Sequence, residues 1–432
     1  MDALTISGKL GMPEAAALFE PYWERSVLSC PEAEAFHFLR DDELEACARY
    51  GCFPEKRLAP LQELAAEIRG NKAWRLWVWH LYRLLFVEQD YPPVKIAQWP
   101  YPTAVFGDRA FLVYVLPFLG CVRLIRERHR AIGVPESVTR DTCPNRHLHS
   151  NMARFEEAHN GTLGATTKSM YWFRLHVNGR MFRLGRLEYK AHTFPSAVRV
   201  FKNKPTGRVL ALLSDGCEYN DEGFMEDPEA RRPDRRYRRA RFVQSETGVE
   251  GVPAHPSGRV LARPVMLPLK AWEPVLLPGD PVLDVHIPPG DGLTLPALRA
   301  SFEQAMAFFA RFFPKCRPQA FSSISWMFNP ELESMLPAES RLVQFLRQGY
   351  LYPRPAKGTE GAEFIFGTDT VNPATAPRDT RLRQALLRKI EAGGSLRNGG
   401  FFLLYDHVED FGHEPYRTQW APGDDEDVKT RF

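Results

Sequence analysis

The segment VLDVHIPPGDGLTLPALRASF, residues 282–302, predicts a short strand, a glycine turn and then a helix with one apolar face. A run of β-branched and aliphatic residues comes first, and within it Asp284 and His286 alternate onto one side. Two prolines then end the strand, because proline cannot donate to a central ladder. Gly290 and Gly292 allow a tight turn that presents bare backbone N–H groups.

The helix is expected to begin at Thr294, a residue typical of N-caps, with Pro296 tolerated in the first turn. Its apolar residues recur at helical spacing as far as Pro314: Leu295, Leu298, Phe302, Ala305, Phe309 and Phe313. A glycine turn at a helix N-terminus favours an anion, because free N–H groups and the positive end of the helix dipole converge there. The alternative is a plain strand-to-helix connection, since two glycines one residue apart are a weak signal.

The flanking segments supply more elements. Ala320–Trp326 predicts a second strand, and a second helix is expected to follow Pro330 and to end at Gly349. Upstream, Tyr171–Tyr189 predicts a β-hairpin turned at the dipeptide 178–179, because Asn-Gly is typical of a two-residue hairpin loop.

That hairpin would set Arg174 opposite Arg183, and two like charges there require an anion or a nearby acid. Arg186 and Glu188 fall at the far end of its apolar face, where an ionised side chain needs a partner. Both a structural ion pair and a substrate-binding role stay open for these two residues.

The order hairpin, strand, glycine turn, helix, strand, helix resembles the GNAT acyltransferase fold. In that fold, the turn between the fourth strand and the third helix holds the pyrophosphate of coenzyme A. The resemblance therefore implies that Gly290, Asp291, Gly292 and Thr294 bind the cofactor. The loop pattern of the fold begins with Gln or Arg, and Ile287 stands at that position here.

Three blocks, Tyr171–Tyr189, Leu283–Pro288 and Ser325–Trp326, are also similar to bacterial acyltransferase-domain proteins. Those proteins have a helical N-terminal N-acyltransferase-type domain and a GNAT-like C-terminal domain. A chain of 432 residues is too long for one compact core. We therefore expect an α+β protein with two domains and a tail: an all-helical domain at 1–155, a GNAT-like mixed-sheet domain at 156–420, and a flexible acidic tail at 421–432.

The resemblance also assigns chemistry. Acyl transfer needs a base for the acceptor, a polarised thioester carbonyl and an acid for the departing thiolate. In the GNAT fold the base often lies on the fourth strand, which implies His286 or Asp284 here. The acid is often a tyrosine near the end of the fourth helix, where this chain has Tyr350 and Tyr352. Ser325 and Trp326 would orient the acceptor or contact the pantetheine arm of the donor.

The activity implied is transfer of an acyl group from a coenzyme A thioester, as co-substrate, to an unidentified small-molecule amine. The alternative is a non-catalytic GNAT-fold protein that recognises a small ligand or a protein partner, which Ile287 and the two prolines after it favour.

The composition excludes several other classes of protein. Seven scattered cysteines without a C-x-x-C motif predict free thiols in a reducing cytosol. Cys143, His147 and His149 lack a fourth ligand at usable spacing, so no metal is predicted. The N-terminus lacks the features of a signal peptide, and the longest apolar run, residues 110–122, is too short to span a bilayer. A cytoplasmic protein without membrane contact is expected.

A basic run at Arg231–Arg241 contains seven arginines in eleven residues, although the net charge of the chain is only +3. It predicts a mobile, solvated insertion whose charge the acidic tail offsets. The alternative is a nucleic-acid-binding arm with salt-dependent affinity. The small net charge gives no general reason to expect nucleic acid.

Overall fold

A computed structural model describes residues 1–168, 170–195, 197–290 and 292–420. The predicted flexible tail at 421–432 lies outside the described residues. The chain divides into two compact units, Met1–Leu184 and Gly185–Phe432. The boundary predicted at 155 instead falls inside a helix of the first unit, Asn145–Ala158.

The first unit is helical apart from a short final strand, β1 (Phe182–Leu184). Its longest apolar helix, α6, is capped by Asn71, whose side chain accepts hydrogen bonds from the backbone N–H groups of Ala73 and Trp74. Most side chains of α6 are buried, as a helix that is apolar nearly all round requires. The helices are α1 (Ala3–Lys9), α2 (Ala16–Phe19), α3 (Trp23–Ser29), α4 (Asp41–Tyr50), α5 (Leu58–Gly70), α6 (Lys72–Phe86), α7 (Pro93–Ile96), α8 (Thr103–Phe106), α9 (Val115–Ile132), α10 (Glu136–Thr142), α11 (Asn145–Ala158) and α12 (Met170–Val177).

Among the described residues, no single helix has both the length and the apolar composition needed to cross a bilayer. One bent pair, Thr103–Leu112 followed by Val115–Ile132, meets those two criteria when taken together.

The hairpin predicted for Tyr171–Tyr189 is wrong. Its first half is the helix α12, in which Met170, Phe173 and Val177 are buried at helical spacing. The Asn-Gly pair ends this helix: Gly179 has φ +63°, and its N–H donates to the carbonyl of His176 at 3.2 Å.

Arg174 therefore does not oppose Arg183. Its guanidinium donates to three backbone carbonyls, those of Glu88, Gln89 and Tyr91, at 2.8–2.9 Å. These carbonyls take the place of the anion or acid that the predicted arginine pair required.

The second unit holds a mixed sheet with helices, as the α+β prediction requires. Its elements are β2 (Leu187–Thr193), β3 (Val198–Asn203), β4 (Val209–Leu213), β5 (Glu218–Asn220), β6 (Tyr237–Arg239), β7 (Val243–Gln244), β8 (Gly248–Gly251), β9 (Pro253–Ala254), β10 (Val265–Pro268), β11 (Trp272–Leu276), β12 (Pro281–His286), α13 (Leu295–Phe312), β13 (Ala320–Ser325), α14 (Leu332–Met335), α15 (Arg341–Gln348), β14 (Tyr350–Tyr352), α16 (Ala362–Phe366), α17 (Arg381–Glu391) and β15 (Gly399–Leu404).

The strands of the central sheet run in the order β2-β12-β13-β15-β14, and only the β12–β13 pair among them is parallel. The helix α13 makes the crossover that a parallel pair needs. It packs on one face of the sheet, where Phe302 contacts the rings of Tyr189 and Phe321. On the other face lies a second sheet, β11-β3-β4-β9, joined to the first by a hydrogen bond from the Ala211 N–H to the Tyr350 hydroxyl at 3.2 Å.

The basic run differs from the predicted mobile insertion. Tyr237–Arg239 forms the strand β6, which pairs with β5, and neighbouring acids contact several of its arginines. Arg231 is ion-paired with Glu218, and Arg235 lies 2.8 Å from Glu222. The charge is thus offset locally, by acids of the same hairpin region.

Candidate functional site

The parallel strands β12 and β13 separate near their C-terminal ends. They share three residue pairs, of which Asp284 with Ser322 is the last. Beyond that point β12 continues along β2 to His286, whereas β13 continues along β15 to Ser325. The carbonyl of Val285, the first residue past the last pair, accepts a hydrogen bond from the Ser323 hydroxyl at 2.8 Å. The backbone carbonyl at the edge of the gap is therefore hydrogen-bonded, as a buried carbonyl requires.

The gap is open on the sheet face that carries Asp284 and His286. Ile324 lies on the same face, two residues after the last pair, because alternate residues of a strand share a face. It is 42% exposed, although it belongs to a central strand. Its cross-strand neighbour is Gly400, against which the ring of Tyr352 packs. We conclude that a groove begins where β12 and β13 part.

Asp284 and His286 are brought together at this groove, as the period of two along a strand predicts. The Nε2 atom of His286 lies 3.0 Å from Oδ2 of Asp284. The ammonium of Lys190, on β2, lies 3.1 Å from the same oxygen. Burial alone would raise the pKa of Asp284, but the hydrogen bond from His286 and the charges of His286 and Lys190 outweigh it and hold the pKa below its usual value.

This arrangement suits His286 to proton transfer. An ionised Asp284 accepts the Nε2–H, which fixes the tautomer that carries its lone pair on Nδ1. Nδ1 is then the atom at which the imidazole can accept a proton.

The two polar residues predicted for substrate contact, Arg186 and Glu188, lie beside this pair. Arg186 donates to the carbonyl of Pro288 at 2.8 Å and so anchors the chain just before the glycine turn. Glu188 is buried and is the cross-strand partner of His286. The structure therefore places both residues beside the pair of Asp284 and His286.

The glycine turn leads into α13 as predicted. Gly290 has φ +140°, a conformation that favours glycine, and the Thr294 N–H donates to the Gly292 carbonyl at 3.0 Å. Thr294 is the N-cap residue, but its side chain makes no capping hydrogen bond. The first N–H groups of α13 have no acceptor within the helix, which leaves them to bind an anion. Asp291, predicted to contact the same anion, lies outside the described residues.

A residue that the sequence did not indicate completes the turn. The guanidinium of Arg341, the first residue of α15, occupies the space in which a side chain at Gly292 would begin. Arg341 is exposed, and none of the hydrogen bonds or ion pairs among the described residues involves it. An arginine with five N–H donors at a helix N-terminus is suited to a phosphate group. Only the fold brings it to the turn, since it follows Gly292 by about fifty residues.

Ser325 and Trp326 have structural contacts. The Ser325 hydroxyl accepts a hydrogen bond from the Met327 N–H at 3.2 Å and so caps a single 3₁₀ turn. The ring of Trp326 packs against Gly361, where a β-carbon would overlap it. Both residues are half-buried at the end of β13, beside the groove.

Tyr352 and Tyr350 are both fully buried. Burial raises the pKa of Tyr352 to about 12, and its ring lies against Gly400. The hydroxyl of Tyr350 contacts the backbone of Ala211 and Ala254 in the second sheet. Neither hydroxyl reaches solvent in the groove.

Two of the cavities that the described residues form lie in the second unit, away from the gap between β12 and β13. One, of about 530 Å³, is lined mainly by Ser214–Glu218 and Met225–Pro228 and by none of the predicted site residues. The other, of about 370 Å³, is lined by residues on both sides of Arg341. The chemistry of the groove is therefore separate from the larger cavity.

The solved structures that this chain resembles are acyltransferases. One is in complex with decanoyl-CoA and teicoplanin, a second is a mutant in complex with octanoyl-CoA, and a third is in complex with CoA and 10C-teicoplanin. Each is 19% identical to this chain, with a TM-score of 0.62, and the match covers 94% of this chain and 99% of the other. At this identity the likeness shows a shared fold. A comparison with curated proteins gives no match.

A comparison with protein-family models finds a match that covers most of the second unit. A model described as GNAT-like C-terminal domain matches residues 181–403, which is just over half of the chain. That span contains β12, the glycine turn, α13 and β13. The chain belongs to the family of proteins with a GNAT-like C-terminal domain, which confirms the resemblance found in its sequence.

Proposed function

We propose that the second unit transfers an acyl group from a coenzyme A thioester to a small-molecule amine, with His286 as the general base. The observation that carries the proposal is the His286–Asp284 pair at the edge of an open gap between two parallel strands. Family membership and the fold shared with acyltransferases that bind acyl-CoA support it.

The residues of the site fit the co-substrate. The gap between β12 and β13 would admit the narrow pantetheine arm between two strand edges. The uncapped N-terminus of α13 and the guanidinium of Arg341 would hold the pyrophosphate, whose two negative charges match a helix dipole and a cation. Arg186 would keep the turn in place through its bond to the Pro288 carbonyl.

When bound, the thioester supplies an activated carbonyl carbon and a thiol leaving group. Nδ1 of His286 accepts a proton as the amine forms its new N–C bond and the C–S bond breaks. Asp284 holds the ring in the required tautomer and stabilises the imidazolium that forms. The imidazolium can then return its proton to the departing thiolate, so charge and protons balance without a second acid. Tyr352 takes no part in proton transfer in this mechanism, because its hydroxyl is buried and its pKa is raised.

Two measurements test this function. Calorimetric titration of the full chain with CoA and acetyl-CoA is expected to show binding below millimolar ligand. Thiol release from acetyl-CoA and decanoyl-CoA, followed with a panel of small amines, is expected to require His286.

The matched control is His192→Ala, because His192 is exposed on β2 and lies outside the pair. No binding at millimolar CoA would end the transferase proposal. Binding of CoA without amine-dependent thiol release would instead favour the alternative, a non-catalytic protein that recognises a ligand.

A further inference from the structure

The open part of the groove is bordered by one residue from each of the two separated strands. His286 and Ile324 each lie two residues beyond the last shared pair, Asp284 with Ser322, and therefore on the same face of the sheet. They stand on opposite sides of the gap. A thioester that reacts beside Nδ1 of His286 thus holds its carbonyl carbon between His286 and Ile324.

The two sides of the gap differ in polarity. On the β2 side, Glu188 is the cross-strand neighbour of His286, and Lys190 is that of Asp284. On the β13 side stands the aliphatic side chain of Ile324, which is 42% exposed. An aliphatic chain is stabilised against apolar surface, whereas it would strip water from charged groups. The acyl chain of the donor is therefore expected to lie along Ile324.

The space behind Ile324 is filled by an aromatic ring. Ile324, Gly400 and Tyr352 are consecutive cross-strand neighbours and form one row across β13, β15 and β14. The hydroxyl end of the Tyr352 ring lies over Gly400, where a β-carbon would otherwise stand. The ring thus extends from β14 across β15 towards Ile324. Tyr352 has no exposed surface, so on this side the groove ends at Ile324.

The ring of Tyr352 is held in this position by two further rings. The ring centroids of Phe194 and Phe402 lie 5.9 and 6.2 Å from that of Tyr352. Phe194 and Phe402 are themselves buried and lie 6.1 Å from each other. A ring enclosed in this way cannot swing aside without overpacking its neighbours.

We propose that Tyr352 limits the length of the acyl chain that this protein transfers, so that its donors are short-chain CoA thioesters such as acetyl-CoA and butanoyl-CoA. The inference rests on the proposed function, because it concerns the acyl group of the same donor. The spacing between neighbouring strands, about 4.8 Å, sets the width of the space beside Ile324. That width suits a short acyl chain and not an octanoyl chain.

The test is calorimetric titration of the full chain with acetyl-, butanoyl- and octanoyl-CoA. Affinity is expected to rise from acetyl- to butanoyl-CoA, because added methylene groups are buried, and to rise no further with octanoyl-CoA. Tyr352→Ala makes the space of the ring available to a longer chain. It should raise the affinity for octanoyl-CoA about tenfold and leave that for acetyl-CoA unchanged.

Three further variants serve as controls and as an independent test. Tyr352→Phe keeps the ring and should keep the ratio of the octanoyl- and acetyl-CoA affinities. Tyr219→Ala removes a buried ring from β5, a strand of a different sheet, and should also keep this ratio. Ile324→Trp adds bulk at an exposed position and should lower the affinity for butanoyl-CoA about tenfold relative to acetyl-CoA. It decides the matter if Tyr352→Ala does not fold.

The outcomes separate this inference from the function on which it rests. An unmodified chain that binds octanoyl-CoA tenfold more tightly than butanoyl-CoA would overturn the inference and leave the transferase proposal standing. A folded Tyr352→Ala protein with unchanged affinity for octanoyl-CoA would also overturn it, as would an equal effect of Ile324→Trp on acetyl- and butanoyl-CoA. Failure of all three thioesters to bind would remove both proposals together.

Discussion

The guanidinium of Arg341 lies where a side chain at Gly292 would begin, although the two residues are far apart in sequence. The absence of a β-carbon at Gly292 is thus what lets a cation approach the backbone of the turn. The contact joins the N-terminus of α15 to that of α13, so two positive ends meet at one place.

Replacing Gly292 with alanine is expected to displace Arg341 and to weaken CoA binding about tenfold, with little loss of stability. Stability is retained because the atom displaced is the far end of a flexible, exposed side chain. Titration calorimetry and urea unfolding measure the two effects. In an Arg341→Gln background the alanine should have no further effect on affinity, and an undiminished effect would show that the turn does not act through Arg341.

Removing the base is expected to lower turnover without lowering affinity. His286→Gln should reduce amine-dependent thiol release by about 10²- to 10⁴-fold, the usual range for a general base. Asp284→Asn should reduce thiol release less, because the imidazole of His286 stays in place but its tautomer is no longer fixed. Parallel CoA titrations should give unchanged affinities. If His286→Gln retains full turnover with an amine substrate, another group is the base.

The hydroxyl of Ser323 is expected to stabilise the separated strands. Ser323→Ala would leave the buried carbonyl of Val285 without its hydrogen-bond donor and should cost about 1 to 3 kcal/mol of unfolding free energy. Urea denaturation measures the cost. Ser334→Ala is the control, because its hydroxyl makes a similar bond to the Glu331 carbonyl on the exposed surface and should cost less than about 0.5 kcal/mol.

Tyr352 is expected to act in packing. Tyr352→Phe should keep turnover within about twofold, since its hydroxyl is buried and its pKa raised to about 12. Gly400→Ala, in contrast, should destabilise the fold by about 3 kcal/mol, because the new β-carbon would overlap a ring that is fully enclosed. A large loss of turnover in a stably folded Tyr352→Phe protein would show that Tyr352 donates a proton in the reaction.

Glu333 gives a pH-dependent prediction. It lies 2.9 Å from Arg347 and 2.8 Å from Arg417. Burial alone would raise its pKa, but the charges and hydrogen bonds of Arg417 and Arg347 outweigh it, and the pKa lies below the usual 4.5.

A lowered pKa means that the ion pairs stabilise the fold above pH 4.5 and that this stability is lost as the pH falls through the lower, folded value. Glu333→Gln should therefore cost about 1 to 2 kcal/mol at pH 7, and the difference from the unmodified chain should shrink towards zero in acid. Glu409→Gln, at an exposed position in no described ion pair, should show no such dependence in urea titrations across pH.

The strand, glycine turn and helix at 282–312 could be predicted because each depends on local sequence: β-branched residues, two prolines, glycines and a periodic apolar face. The dyad of Asp284 and His286 was predictable for the same reason, since residues two apart on a strand share a face. The contact at Gly292 was not, because only the crossover through α13 and β13 brings Arg341 to the turn.

The helix Met170–Val177 shows how a local signal can mislead. Its apolar residues fit a period of two over a short span, and Asn-Gly is a hairpin signal as well as a helix stop. The structure has a helix there instead. Met170, Phe173 and Val177 are buried on one face of it, and Arg174 donates hydrogen bonds to carbonyls that are distant in sequence. The structure of the basic run likewise depends on its pairing with β5, on which Glu218 contacts Arg231.

The three residue pairs between β12 and β13 compare with six pairs on the outer side of each strand. The sheet therefore has a weakly paired seam between β12 and β13. This seam lies inside the sheet and not at an edge strand. Amide protons facing the seam should exchange with solvent sooner than those on either outer ladder, and a wedge-shaped ligand can widen it without unpairing any other strand. A ligand can therefore enter the sheet between β12 and β13 while the outer strand pairs stay in place.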